Sequence, residues 1–489
     1  MPEHLLIHPS TMSLVTHVVL VVAVSVRVIM QRPATGVALA WLVLIAAVPL
    51  GGAALYLLVG ERRISRSRAR GLEALRIDFA DVANAIVSEG LTRVDWSTHP
   101  PAVHGMHRLG LEMVGSPTVH GSDFQLRCDT HEILRAMARD IDAAQKSVLM
   151  EFYIWNEGGV ADEVLEAVIR AARRGVACCL LIDALGARPW WQGKQPAQLR
   201  AAGVAVRRAL PVGLFRALVG RTDLRLHRKV VVIDGQCAWT GSMNLVDPAF
   251  FKQDAGVGQW VDAMVRVQGS AVIPLAATWL SDWILETGES FESLARHFDL
   301  QMVKPHGVAD VQVVPSGPGE TGDGLLQMVL TLVHSARQEL VLTTPYLVPD
   351  ESLLRALRGA AARGVHVQLI VPRHVDSLLT RHASRSYFDD LLEAGVTIYQ
   401  YNGGLLHTKS ITADGQTSMF GTANLDMRSF WLNYEVSLFV YDHEFTVELR
   451  KLQQSYADDS TRLDSITWAS RPLRQRFLEN TLRLVSPLL

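Results

Sequence analysis

One polar pattern is written twice in this chain, and any fold it adopts has to accommodate both copies. The first is His227-Arg228-Lys229 followed by Asp234, Gly241, Ser242 and Asn244; the second is His407-Thr408-Lys409 followed by Asp414, Gly421, Thr422 and Asn424. In each, the Lys lies two after the His, the Asp five after the Lys, the Gly seven after that and the Asn three later. Matching offsets are the signature of an internal repeat. The repeated residues neutralise charge and move protons, which suits them to chemistry on a phosphate.

The surroundings repeat as well. The end of a helix over 138–145, a buried strand over 147–154, an amphipathic helix over 160–174 and a strand over 176–182 are answered by a helix over 325–337, a strand over 339–343, a helix over 352–363 and a strand over 365–371. Each His-x-Lys opens a strand, 229–233 or 409–412, that runs into a shared Asp-Gly-Gln turn. Such alternation predicts two α/β sandwich halves with mostly parallel or mixed sheets. Similar halves pack about a pseudo-two-fold axis, so a single site built from both is expected. The Pro- and Gly-rich run 315–324 reads as their boundary or as a rim of the site, because no Gly-Lys-Ser/Thr completes a nucleotide loop.

The chain of 489 residues is long enough for more than one core, and its apolar fraction of 49% is concentrated near the start. Residues 12–30 and 37–59 are each apolar over a length that spans hydrocarbon, which predicts an N-terminal two-helix transmembrane hairpin. Pro49, Gly51 and Gly52 within the second stretch are tolerable in a membrane helix and allow a kink. Arg62, Arg63, Arg66, Arg68 and Arg70 follow, and the positive-inside bias puts that flank in the cytoplasm. Arg32 then lies in a short external turn, with Arg27 snorkelling toward the same side. The expected layout is a hairpin over 1–60, a juxtamembrane region over 61–115, a first half over 116–310, a second half over 311–465 and an amphipathic tail over 466–489. Four cysteines without paired spacing fit a reducing compartment. A net charge of −2 argues against a nucleic-acid partner.

A phosphodiester resists attack because its oxygens are anionic and its leaving alkoxide is poor. His227 and His407 are placed to divide the work, one attacking phosphorus and the other protonating the departing alcohol. Lys229 and Lys409, with Asn244 and Asn424, supply donors for the non-bridging oxygens. No carboxylate cluster at metal-ligand spacing accompanies them, so catalysis without metal or cofactor is expected. Each imidazole needs a group to fix its tautomer. Glu435, on a strand over 434–440, is the candidate in the second half, and Asp262, displaced by an inserted loop over 247–259, its counterpart in the first. Asp234 and Asp414 are candidates for the catalytic set, with turn formation the competing role.

These residues resemble the signature of the phospholipase D superfamily, His-x-Lys-x4-Asp followed by Gly-Ser/Thr-x-Asn, present in two copies. Gly241 to Pro248, Phe251-Lys252-Gln253-Asp254, Gly256 to Trp260, Thr344-Pro345-Tyr346 and Gly421 to Glu435 further resemble the bacterial cardiolipin synthases, as does the N-terminal hairpin with its Arg-rich exit. The resemblance implies a phosphatidyl group carried on a catalytic His, His227 in our assignment, and passed from one phosphatidylglycerol to another with release of glycerol. It implies a multi-pass protein of the bacterial inner membrane whose catalytic halves face the cytoplasm, with a homo-oligomer left open. A phospholipase D that hydrolyses headgroups shares every motif residue; a membrane-anchored lipid-binding protein is the alternative from another class. An apolar run over 210–219 followed by Arg221 and Arg225, and the tail with Arg471, Arg474, Arg476 and Arg483, are candidates for lipid contact.

Overall fold

The computed structural model describes residues 9–33, 35–61, 64–213, 221, 223–319 and 322–484. They divide into two compact units: Met1–Arg66 with Val212–Asp223, and Ser67–Pro211 with Leu224–Leu489.

The larger unit is built on one continuous sheet with mirror order. Outward from the middle, the first half contributes Thr118–Arg127, Met264–Gly269, Cys237–Gly241, Val230–Ile233, Ser147–Phe152, Ala177–Asp183 and Ala205–Ala209. The second contributes Ala309–Ser316, Asn433–Val440, Thr417–Gly421, Ser410–Ala413, Glu339–Thr343, His366–Pro372 and Thr397–Tyr401, with Ser460–Arg462 added at its edge. The halves join where Thr118–Arg127 and Ala309–Ser316 pair antiparallel, with Thr118 opposite Gln312. Ser147–Phe152, Ala177–Asp183 and Ala205–Ala209 run parallel in the first half, as do Glu339–Thr343, His366–Pro372 and Thr397–Tyr401 in the second, while the inner strands and the edge strand Ser460–Arg462 pair antiparallel. Strands such as Ser147–Phe152 are buried along their whole length, as expected where helices cover both faces.

The helix Thr130–Ala143 turns Ile133, Leu134, Met137, Ala138 and Ile141 inward, one helical stripe, and Asp129 caps it through the amide of Glu132. Each large side chain so buried contributes about 1.5–3 kcal/mol. Val272–Thr287 is apolar nearly all round and is correspondingly a core helix. The run 315–324 does not separate the halves. Strand Ala309–Ser316 already belongs to the second half, and the residues after it lead into the helix Gly324–Ser335; 320 and 321 lie outside the described residues.

The smaller unit differs from the expected hairpin of two spanning helices, the second of them at most kinked. Its first stretch is the helix Pro9–Met30, but the second is split into Thr35–Ala47, Pro49–Leu55 and a π turn Tyr56–Gly60. Val48 leaves helical geometry at φ −134°, ψ 73°, as a residue preceding proline is driven to do, and Pro49 starts the next helix. The chain then folds back: a Cβ on Gly52 would lie 2.7 Å from the Leu44 carbonyl oxygen, whereas residues eight apart in a straight helix are separated by about 12 Å. The reversal carries Glu61 to Arg27, whose guanidinium binds it at 2.5 and 3.0 Å. Among the described residues no helix is long and apolar enough to cross a membrane. Val24, Val28, Ile45, Ala53 and Tyr56 nonetheless form the unit's own small core, while Val19, Val43, Leu50 and other large apolar side chains stay exposed.

Of the Arg-rich flank, Arg62 and Arg63 lie outside the described residues. Arg68 is drawn into the larger unit, donating to Tyr434 Oη at 2.8 Å and Glu286 at 2.6 Å. Most of the apolar run over 210–219 is also outside the described residues. Arg221, just beyond it, donates to the Val59 carbonyl at 2.8 Å within the smaller unit.

Candidate active site

Each His arrives on a two-residue strand that pairs in parallel with the opposite half. Arg225–Leu226 lies against Asn433–Tyr434, and Leu405–Leu406 against Trp260–Val261. The amide of His227 accordingly donates to the Tyr434 carbonyl at 2.9 Å and that of His407 to the Val261 carbonyl at 2.8 Å. Asp183, at the end of its strand, also takes the Leu226 amide at 2.9 Å.

This crossing decides which carboxylate serves which imidazole. His227 Nδ1 lies 2.8 Å from Glu435 Oε2, and His407 Nδ1 lies 2.7 Å from Asp262 Oδ1. Glu435 thus serves the His of the first half and Asp262 that of the second, whereas position along the chain pairs each carboxylate with the His of its own half. The correction follows from strand order, because the residue after Tyr434 and the residue after Val261 both face the partner half's His. Position Ser/Thr in Gly-Ser/Thr-x-Asn, to which the sequence reading gave no role, anchors these carboxylates: Ser242 Oγ donates to Asp262 at 2.6 Å and Thr422 Oγ1 to Glu435 at 2.6 Å. Glu435 also accepts from Ser429 Oγ at 2.9 Å and Asn433 Nδ2 at 3.3 Å. With Nδ1 committed, Nε2 is the ring nitrogen left for a ligand.

All four central side chains are buried. Burial pushes both imidazoles down to about 4, against the opposing pull of Glu435 on His227 and of Asp262 on His407. Burial likewise pushes Lys229 down to about 8 and Lys409 well below the usual lysine range. Burial alone would raise Glu435 and Asp262, but the adjacent imidazoles hold both below the ordinary carboxylate range. The charge of Lys409 acts on His227 and that of Lys229 on His407, so the two half-sites are one electrostatic cluster. Each Lys Nζ donates back to the carbonyl of its own His, at 2.7 and 2.6 Å. The ring of Tyr153 lies 5.0 Å from that of His227 and Trp260 lies 4.5 Å from His407, apolar walls the sequence did not single out.

The two Asn are not equivalent. Asn244 Oδ1 accepts the Ile154 amide at 3.2 Å, which leaves its NH2 as a donor. The side chain of Asn424 is bonded to buried Asp426.

Asp234 and Asp414 stand apart from the catalytic set. Asp234 accepts the amides of Gln145, Lys146 and Ser147 at 2.8, 2.7 and 2.9 Å, and Asp414 those of Arg337, Gln338 and Glu339 at 2.8, 2.8 and 2.9 Å. Both adopt positive φ, 54° and 53°, at the turn beyond the His strand. They fasten that turn to the start of the neighbouring strand, and the turn role holds in place of the catalytic one. Asp414→Ala is therefore expected to lower stability by about 1–3 kcal/mol, read as a shifted urea midpoint. Turnover per folded molecule should stay within a few-fold; a loss comparable to that of a His variant would return Asp414 to the catalytic set.

The family described as "Cardiolipin synthase, PLD-like domain" matches residues 137–273 and 329–456, and the family described as "Phospholipase_D-nuclease N-terminal" matches 19–61. Cardiolipin synthase A of Erwinia tasmaniensis is 44% identical over 470 residues, 96% of each chain. Cardiolipin synthase A of Yersinia pseudotuberculosis is 41% identical over 480 residues, 98% of each. Among solved structures, a phosphatidylserine synthase of Haemophilus influenzae covers 79% of this chain and 100% of its own, with a TM-score of 0.60 at 16% identity, a likeness of fold.

Proposed function

The chain belongs to the phospholipase D-like cardiolipin synthase family, and from that premise we propose how it makes cardiolipin from phosphatidylglycerol. His227 Nε2 attacks the phosphorus of the first lipid, forming a P–N bond as the P–O bond to the glycerol headgroup breaks. His407, which takes up a proton as the anionic phosphate binds beside it and Asp262 supports its charge, gives that oxygen this proton, and glycerol leaves. The headgroup hydroxyl of a second phosphatidylglycerol, deprotonated by His407, then attacks the same phosphorus. The P–N bond breaks and cardiolipin departs, with both imidazoles restored.

The observation that carries this reading is the pair of buried imidazoles, each with Nδ1 held by a carboxylate from the other half. Glu435 and Asp262 stabilise the positive charge that the rings acquire in turn. Lys229, Lys409 and the amide of Asn244 surround the non-bridging oxygens; an arriving phosphate favours both ammonium forms and offsets their burial. The step as written needs no metal ion or cofactor. The apolar surface of the smaller unit supports insertion in the membrane, with the catalytic halves on the cytoplasmic side as the Arg-rich flank implies. Incubation of the purified protein with phosphatidylglycerol alone is expected to give cardiolipin and glycerol in equal amounts. Phosphatidic acid without cardiolipin would instead favour the hydrolase; an output that is the same for the wild type and a His227→Ala, His407→Ala double variant would mean that the site is not catalytic and favour the lipid-binding alternative.

The pH profile follows from the same burial. A nucleophilic imidazole has to be neutral, and a pKa near 4 leaves it so down to that value; an unshifted His would already be half protonated at about 6.5. Lys229 loses its charge as pH rises through about 8. For formation of the phosphatidyl-enzyme from a phosphatidyl ester of p-nitrophenol, whose leaving group needs no proton from His407, the rate is therefore expected to hold through pH 6, fall toward pH 4, and fall again above pH 8. Lys229→Arg should move the alkaline limb upward, and an unmoved limb would exclude Lys229 as its source.

A further inference from the structure

The C-terminal helix Leu473–Leu484 is fastened to the larger unit by its polar side. Glu479 is fully buried and accepts from Arg385 Nε at 2.7 Å and from Arg471 Nη2 and Gln475 Nε2, both at 3.1 Å. Arg483 Nη1 pairs with Asp390 at 2.6 Å. Residues 475, 479 and 483 share one helical face. The opposite face carries Leu473, Phe477 and Leu484, which are 79%, 74% and 80% exposed.

This is the reverse of a helix on a water-facing surface, which turns its apolar stripe inward and its charges out. Each Leu or Phe left in water forgoes the gain of burial, so the stripe is suited to an apolar partner. Charge identifies that partner. On the helical wheel Arg474 and Arg476 flank the stripe, one to each side, and both are exposed. Apolar side chains between two rows of cations fit the acyl and headgroup layers of an anionic bilayer. The surface adjoins the catalytic site through the neighbouring helix Leu378–Ser386, whose Arg385 holds Glu479. That helix exposes Leu378 and Leu379, two and three residues past Asp376. Asp376 in turn accepts from Tyr346 Oη at 2.7 Å and pairs with Lys252 at 3.0 Å, within electrostatic reach of His407.

We propose that Leu473, Phe477 and Leu484 form a second membrane-contacting surface, separate from the N-terminal unit, which seats the second half on anionic lipid beside the site. The proposal deepens the reading of the protein as a lipid enzyme and rests on it, but its first test needs no turnover. In the full chain carrying Cys128→Ser, single substitutions Leu473→Cys, Phe477→Cys and Leu484→Cys are labelled with a nitroxide. Cys178, Cys179 and Cys237 are buried and stay unlabelled. In phosphatidylglycerol nanodiscs the three labels are expected to meet dissolved oxygen freely and to be shielded from an aqueous nickel chelate. Free access of the chelate at Phe477→Cys overturns the proposal. So does dipolar coupling between labels on two copies, which would assign the stripe to a second copy of this chain. The second test is catalytic. A Leu473→Asp, Phe477→Asp double variant should turn over phosphatidylglycerol in bilayers on the order of tenfold more slowly, with an unchanged rate on lipid dispersed in detergent. Equal rates on both also overturn it.

Discussion

His227→Ala is expected to lower kcat on phosphatidylglycerol by about four orders of magnitude or more, and to abolish any lipid-linked form of the protein. In the proposed mechanism the variant loses the atom that forms the P–N bond, and the remaining donors bind phosphate without offering it a nucleophile. His407→Ala should cost a similar factor on the natural lipid for a different reason: the glycerol alkoxide leaves without a proton. A phosphatidyl ester of p-nitrophenol separates the two, because that leaving group needs no protonation. On it, His407→Ala should form the phosphatidyl-enzyme readily and discharge it slowly, since the acceptor hydroxyl has lost its base. Peptide mapping of the trapped protein is expected to find the adduct on His227. An adduct on His407 in the His227→Ala variant, with none in the converse case, would reverse the roles of the two halves.

Much of this arrangement was legible in the sequence, for reasons of local physics. The order of strands and helices follows from periodicity, and the observed Ser147–Phe152, Ala161–Arg173, Glu339–Thr343 and Glu351–Ala362 fall within a few residues of the expected spans. The His and Lys pairs were legible because repetition of an unusual spacing is hard to reach otherwise. What escaped is what depends on register between distant strands. That Leu226 pairs with Tyr434 and Leu406 with Val261 is set by how the halves dock. No spacing along the chain encodes it, so each carboxylate was credited to its own half. The roles of Asp234 and Asp414 were hidden similarly, because their amide partners lie over seventy residues away.

The smaller unit shows a different limit. Hydropathy measures length and apolarity, and over 37–59 both suggest one span. The signal for the reversal was present in Pro49, Gly51 and Gly52, but it reads as a kink or as a turn depending on what the backbone meets. At Gly52 it meets the Leu44 carbonyl, an approach that any larger side chain would block.

The crossed pairing yields the sharpest test of the site. Glu435→Gln keeps the size of the side chain and the acceptor toward Nδ1 but removes the negative charge opposite the ring. It is expected to lower kcat by about 10²–10⁴-fold. Because Glu435 pulls the pKa of His227 upward against burial, its loss should also move the titration of His227 below about 4 and leave that of His407 nearly in place. Site-specific NMR of the two imidazoles reads this directly. Energetic coupling should follow the same line. With the p-nitrophenyl ester in single turnover, Glu435→Gln should add little to the defect of His227→Ala, since the residue acts through that ring. It should add nearly its full effect to His407→Ala. Asp262→Asn should behave in mirror image, coupled to His407 and independent of His227. Coupling of Glu435 to His407 instead would mean that each half orients its own imidazole, and the cross-strand account of the site would fall with it.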